Sequence, residues 1–149
     1  IDRYALGAAV PGRAIAGLTR EQLLAHPVPG TWSIQEIVVH LLDSDLAATH
    51  RMRRIAAEPQ PLLIAYDETA FAQKLSYDED NLALVCRLFE VNREFTAAFL
   101  RRLPPEAFAR TGVHNQTGIR TLLDLVNAYA NHVDHHMKFL LQKKKLVGG

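Results

Sequence analysis

The stretch SIQEIVVHLLDSDLAATHRMRRIAA, residues 33–57, decides the fold. Ile34, Ile37, Val38, Leu41, Leu42, Ala48, Met52 and Ile55 recur at the three- and four-residue steps that put apolar side chains on one face of a helix. Ser33 with Glu36 has capping-box spacing, and Trp32 stands where a residue staples the first turn. The turn Pro29-Gly30-Thr31 precedes this start, and Pro59 and Pro61 set the stop beyond Ala57.

Working outward, a third long helix is expected from Asn81 to Leu103. Leu82, Val85, Leu88, Phe89, Phe95, Phe99 and Leu103 form its inward face, and Pro104-Pro105 its end. A last helix is expected from Ile119 to Gln142, with Leu122, Val126, Tyr129, Val133, Met137 and Leu140 inward, after a turn-rich stretch holding Gly112-Val113-His114-Asn115 and Gly118. The front of the chain is punctuated by Pro11, Gly12 and Gly17. Thr19 and Gln22 then cap a short helix that Pro27 and Pro29 stop. Residues 58–80 read as a long irregular connection with one short helix around Asp67–Leu75. No repeat, low-complexity segment or strand is evident. The expectation is an all-α fold: a single domain over residues 1–149, folded as an antiparallel four-helix bundle with a broken first helix and one long crossover.

A chain of 149 residues can bury a core without disulfides or a structural metal. With 17 Lys and Arg against 16 Asp and Glu the charge nearly cancels, so there is no electrostatic footprint for nucleic acid. The run Lys143-Lys144-Lys145 reads as a solvated helix end, where cations oppose the helix dipole. Cys86, the one cysteine, excludes an internal disulfide and fits a reducing compartment; among Leu82, Val85, Leu88 and Phe89 it reads as a small core residue. No run reaches the ~20 apolar residues of a membrane span, and no signal peptide is recognisable at the front. A cytoplasmic protein is expected.

Chemistry concentrates in the histidines. His132 and His136, four residues apart, share a helix face and flank the inward stripe near Leu125 and Tyr129. His40 borders the apolar stripe of the Ser33–Ala57 helix. Each alone is satisfied by a structural role, yet three imidazoles at interior edges of two bundle helices meet the three-nitrogen requirement of an open catalytic metal site. Imidazole suits zinc, nickel, copper and iron alike, so ligand type does not choose the metal. His135, turned ~100° from its neighbour, leans outward. His26 and His50 read as cap and surface residues, and His114 is left open as a pocket-rim group in a loop.

Four further polar positions carry weight. Asp45 falls within the apolar stripe and calls for a buried arginine, Arg51 or Arg93. Asn92 interrupts the third helix's stripe, pointing either to the metal cavity or across the bundle. Asp43 lies beside Asp45 on the same helix, and Glu36 is absorbed by its capping box. The chain has no His-Glu-x-x-His zincin motif, no Glu-x-x-His di-iron pair, no phosphate-binding glycine loop and no nucleophile elbow, which removes the enzyme classes those motifs carry.

These residues resemble the DinB-like superfamily, most closely its YfiT and DinB_2 branches. Pro29-Gly30-Thr31-Trp32-Ser33 with Glu36, His40-Leu41, Asp43, Asp45 and Arg51 is similar to that family's first signature, and Tyr129-Ala130-Asn131-His132 through His135-His136 to its second. The likeness implies a four-helix bundle holding a divalent metal, zinc or nickel, through His40, His132 and His136, and in several members a homodimer. It also implies a small-molecule substrate, with transfer of a low-molecular-weight thiol onto electrophiles as the leading activity. The alternatives are a hydrolase that activates water on the metal, or a non-catalytic metal- or ligand-binding bundle. The broken first helix departs from the usual pattern.

Overall fold

The computed structural model describes residues 1–149. Three short helices, α1 (Asp2–Leu6), α2 (Val10–Ile15) and α3 (Arg20–Leu24), precede the long α4 (Ile34–Ala57). The connection beyond it carries β1 (Leu62–Leu63), α5 (Glu68–Lys74) and a 3-10 turn (Tyr77–Glu79) before α6 (Leu82–Arg101). A second 3-10 turn (Pro105–Ala109) leads to β2 (Thr111–His114), β3 (Gly118–Thr121) and α7 (Leu122–Leu146). The capping boxes at Thr19 and Ser33 form as their spacing demands, and a third, Thr121 with Asp124, starts α7.

Pairs across the bundle fix its directions. Arg51 of α4 reaches Tyr129 of α7, whereas His40 meets His132, so α4 and α7 are antiparallel. Asp45 with Arg93 and Thr49 with Thr96 pair α4 with α6 in rising order, so those two helices are parallel. Asp2 meets Arg101 and Gly12 lies against Cys86, which sets α1 and α2 antiparallel to α6 as the two halves of one broken fourth helix. The antiparallel expectation therefore fails for α4 and α6. Parallel neighbours cannot be joined by a tight turn, and residues 58–81 form the crossover that returns the chain to the starting end.

Two apolar clusters fill the interior. The first joins Ile34, Ile37, Val38 and Leu41 to Val85, Phe89, Val133, Met137 and Leu140; the second joins Ala48, Met52 and Ile55 to Leu100, Leu122, Leu125 and Val126. Between them lies a polar layer with Asp45, Arg93, Asn92, Thr49 and Thr96, all buried.

The all-α expectation is corrected by a small three-stranded sheet. β1 pairs parallel with β2, Leu62 opposite Val113, and β2 pairs antiparallel with β3, Gly112 opposite Arg120. Strands of two to four residues are too short for alternation to register, and the β1–β2 pairing joins segments about 50 residues apart. At Gly112 a Cβ would stand 3.0 Å from the Pro61 carbonyl oxygen, so the close approach of β2 to the crossover favours glycine.

A second correction concerns α6. Leu88 and Phe95 are exposed, and the inward face instead runs Leu82, Val85, Phe89, Asn92, Arg93, Thr96 and Leu100. The polar residues on that face find partners in the central layer, so they displaced apolar residues from it. Phe95 packs with Phe99 around the Arg53 guanidinium, 5.4 and 5.3 Å from the two ring centres.

Candidate metal centre

α4 presents His40 and α7 presents His132 and His136 to the same point. His40 Nε2 lies 3.3 Å from His132 Nε2, and His136 Nε2 lies 3.0 Å from it. The donor atoms of all three lie within 4.8 Å of one another. Metal–nitrogen bonds of ~2.0–2.1 Å at angles between ~90° and ~109° put ligand nitrogens ~3.0–3.4 Å apart, so two of these spacings already suit a common ion. His40 is fully buried, and His132 and His136 are half-buried.

Burial sets the protonation of the trio. It depresses His40 to about 4, with His136 adding to the effect, and His132 to about 3, with His136 and His40 adding. Burial and the neighbouring His135 depress His136 to about 4. At neutral pH three uncharged imidazoles thus direct ring nitrogens at one point, a donor set that suits a borderline divalent cation. His40 Nδ1 is buried without a partner, so packing holds the ring: Trp32 at 4.7 Å between centroids and His136 at 4.7 Å. Trp32, expected only as a staple, is a wall of the site.

The other singled-out residues fall as follows. His135 is exposed and lies against Phe139, 5.1 Å between centroids. His26 is exposed at the turn before α4, with Nδ1 2.9 Å from the Thr31 carbonyl oxygen, and His50 is exposed on α4. His114 lies in β2 rather than in a loop, and its Nδ1 accepts a hydrogen bond from the Gln116 amide. Asp45 pairs with Arg93, while Arg51 donates to the Tyr129 hydroxyl and the Ile64 carbonyl. Asn92 donates to Asp45 rather than facing the histidines, and Asp43 accepts from the Tyr77 hydroxyl. Glu36 serves its capping box, and Cys86 is half-buried against Gly12 at the α2–α6 contact.

Lys143 overturns the reading of the basic run as a solvated end. Its side chain is buried, with Nζ 2.5 Å from the Thr31 hydroxyl, and Lys144 Nζ donates to the Ala14 carbonyl; Lys145 alone of the three is exposed. The signal was present: Lys143 stands seven residues, about two turns, beyond His136 and so on the same face of α7.

Two clefts are walled in part by α4. One of about 400 Å³ is walled by Asp43, Ala47, Arg51, Tyr66 and Phe71. The Tyr66 hydroxyl is buried without a partner, and burial pushes its pKa up. The other, about 320 Å³, is walled by Thr31, Trp32, Ile37, His136, Phe139 and Lys143, and so reaches a member of the trio directly.

The sequence over residues 12–140 matches the DinB_2 family model of the DinB superfamily. The chain belongs to the DinB superfamily. Within it, the chain is 29% identical over 138 residues to a Bacillus subtilis protein named "Putative metal-dependent hydrolase YfiT", covering 91% of this chain and 77% of the relative. A protein of Oceanobacillus iheyensis with the same functional name is 28% identical over 123 residues, covering 83% and 71%. The solved structure of Bacillus subtilis YfiT, described as an unusual four-helix bundle topology, superposes with a TM-score of 0.92 over 99% of this chain and 85% of that one, at 24% identity. This DinB-superfamily chain therefore has the YfiT fold. None of its helices is long and apolar enough to cross a membrane.

Proposed function

We propose that this single-domain protein is a metal-dependent hydrolase of small molecules, with His40, His132 and His136 as ligands of a divalent ion. The observation that carries the reading is the convergence of three desolvated, uncharged imidazoles from two helices, with ring nitrogens 3.0 and 3.3 Å apart. A divalent ion held by three nitrogens keeps positions open and supplies Lewis acidity that makes water a nucleophile near neutral pH. The chain's contribution is positional. Trp32 packs against His40, Val133 and Met137 carry α7 on the core beside the ligands, and the cleft lined by His136 gives a substrate a place beside them.

The relatives' names favour hydrolysis over the thiol transfer expected from the sequence, and zinc and nickel stand equal on the ligand set. Metal analysis of the purified protein, followed by a screen of esters, amides and lactams in ¹⁸O-water, tests the proposal. The expected result is about one equivalent of metal and solvent oxygen in the product. Turnover that depends on an added thiol and yields a thioether would restore the transferase reading, and metal binding without turnover would favour a binding module.

A homodimer is part of the same proposal. Leu84, Leu88, Val91 and Phe95 form an exposed apolar stripe along α6, a face that a second copy would cover.

A further inference from the structure

Lys143 is a buried cation with no carboxylate in contact: burial lowers its pKa, and the nearby Glu36 carboxylate opposes that shift only in part. It forms no ion pair with any Asp or Glu, and its Nζ donates to the Thr31 hydroxyl, which itself donates to the Val28 carbonyl. An ammonium carries three donors, and isolation from water is costly unless they are met. The side chain lines the same 320 Å³ cleft as His136. Trp32, Ile37 and Phe139 supply the apolar wall between them. Seven residues of helix separate the two Cα atoms by about 10.5 Å, and helical side chains lean toward the N-terminus, which carries the ammonium back toward His136.

Resting on the metal-dependent reading above, we infer that this cleft selects anionic substrates: Lys143 binds a carboxylate at one end while the reacting group lies at the three-histidine centre. The substrate class is then a small carboxylic acid with a short apolar span between its carboxylate and the bond attacked. The carboxylate supplies the direct ion pair that Glu36, which does not touch the ammonium, leaves unmade. An uncharged analogue would cover the ammonium without placing an anion in contact with it, so the cleft discriminates against it.

The test uses the metal-loaded protein with cobalt as the ion, its visible spectrum reporting on ligands that reach the centre. The probes are acetate and the dicarboxylates from malonate to adipate. At least one dicarboxylate is expected to bind the wild type more tightly than acetate does. Lys143→Met should lower that affinity roughly ten- to hundred-fold, with acetate affinity and metal content unchanged, and Lys143→Arg should retain most of it. Thr31→Val separates charge from scaffolding, because it removes the contact but keeps the ammonium, and its dicarboxylate affinity should stay near that of the wild type. Equal affinity of wild type and Lys143→Met for every dicarboxylate, or a loss in Thr31→Val as large as in Lys143→Met, would overturn the inference. If Lys143→Met does not fold, the wild-type preference for a dicarboxylate over acetate and its loss in Lys143→Gln decide. Failure of the metal reading itself shows separately, as absence of bound metal in the wild type, and removes this inference with it.

Discussion

Arg93 and Asp45 form a buried ion pair between α6 and α4, Nη2 to Oδ1 2.8 Å and Nε to the same oxygen 3.1 Å, each side chain 1–2% exposed. The guanidinium also donates to the Tyr4 carbonyl of α1 and to the Tyr129 carbonyl of α7, so one side chain ties all four bundle segments together one turn from His132. Asn92 and the Tyr4 hydroxyl donate to the other carboxylate oxygen. Burial pushes the Asp45 carboxyl up, and the Arg93 guanidinium opposes that shift.

Removing one partner leaves a desolvated charge. Arg93→Met is expected to destabilise the fold by about 3–5 kcal/mol, whereas Asp45→Leu with Arg93→Met should cost clearly less than the single change. Urea unfolding of the three proteins reads the difference. A double variant as unstable as Arg93→Met would show that the pair acts through its backbone contacts rather than its charges.

Gly7 tests the same network from α1. An added Cβ would meet Arg93 Nη1 at 2.5 Å and the Tyr4 carbonyl at 3.3 Å, although the Gly7 backbone is right-handed helical and accepts alanine. Gly7→Ala is expected to lose about 1–3 kcal/mol by displacing the guanidinium. A neutral or stabilising result in thermal melts would mean that Arg93 moves aside freely.

Metal content should follow the geometry of the histidines. His40→Ala, His132→Ala and His136→Ala are each expected to lose stoichiometric metal, and His135→Ala to keep it, by elemental analysis after dialysis. Parallel losses in all four would contradict the assignment of faces. Chelation should leave far-UV helicity largely intact, since two apolar clusters form the core independently of the ion. At a hundred-fold excess over Kd, metal should add about 2.7 kcal/mol, and so raise Tm by roughly 5–10 °C.

The pH dependence of the metal-free protein has a definite sign. The folded-state values of His40, His132 and His136, about 4, 3 and 4, lie below the ordinary 6.5. Between 6.5 and 4 the unfolded chain therefore binds more protons than the folded one. The trio is neutral in its effect above pH 7 and destabilises progressively as the pH falls from 6.5 toward 3. Urea midpoints at pH 8, 6 and 5 check this, with the Ala variants expected to flatten the decline. Metal affinity should weaken over the same range as protons compete for the ring nitrogens.

The exposed stripe on α6 gives the last prediction. Sedimentation should find a dimer, and Leu88→Glu with Val91→Glu should yield a folded monomer that retains metal. A monomeric wild type would show the stripe to be bare surface.

The sequence by itself determined the long helices and the face each of their histidines takes, because capping boxes, prolines and 3.6-residue periodicity act within a few turns of chain. His132 and His136 were a pair on spacing alone, and Ser33 with Glu36 fixed the register that carries His40. Only the tertiary structure decided what lies between elements. The parallel setting of α4 and α6 and the pairing of Leu62 with Val113 depend on contacts across tens of residues, where no local pattern reports. The choice of Arg93 over Arg51 for Asp45 followed from which helix packs against α4 at that level. The burial of Lys143 followed from the turn at Thr31 folding over the end of α7. Leu88 and Phe95 mark the limit most clearly: apolar spacing assigned them inward, but the buried polar layer claimed that face, since a buried carboxylate without its arginine costs more than two apolar side chains left in water.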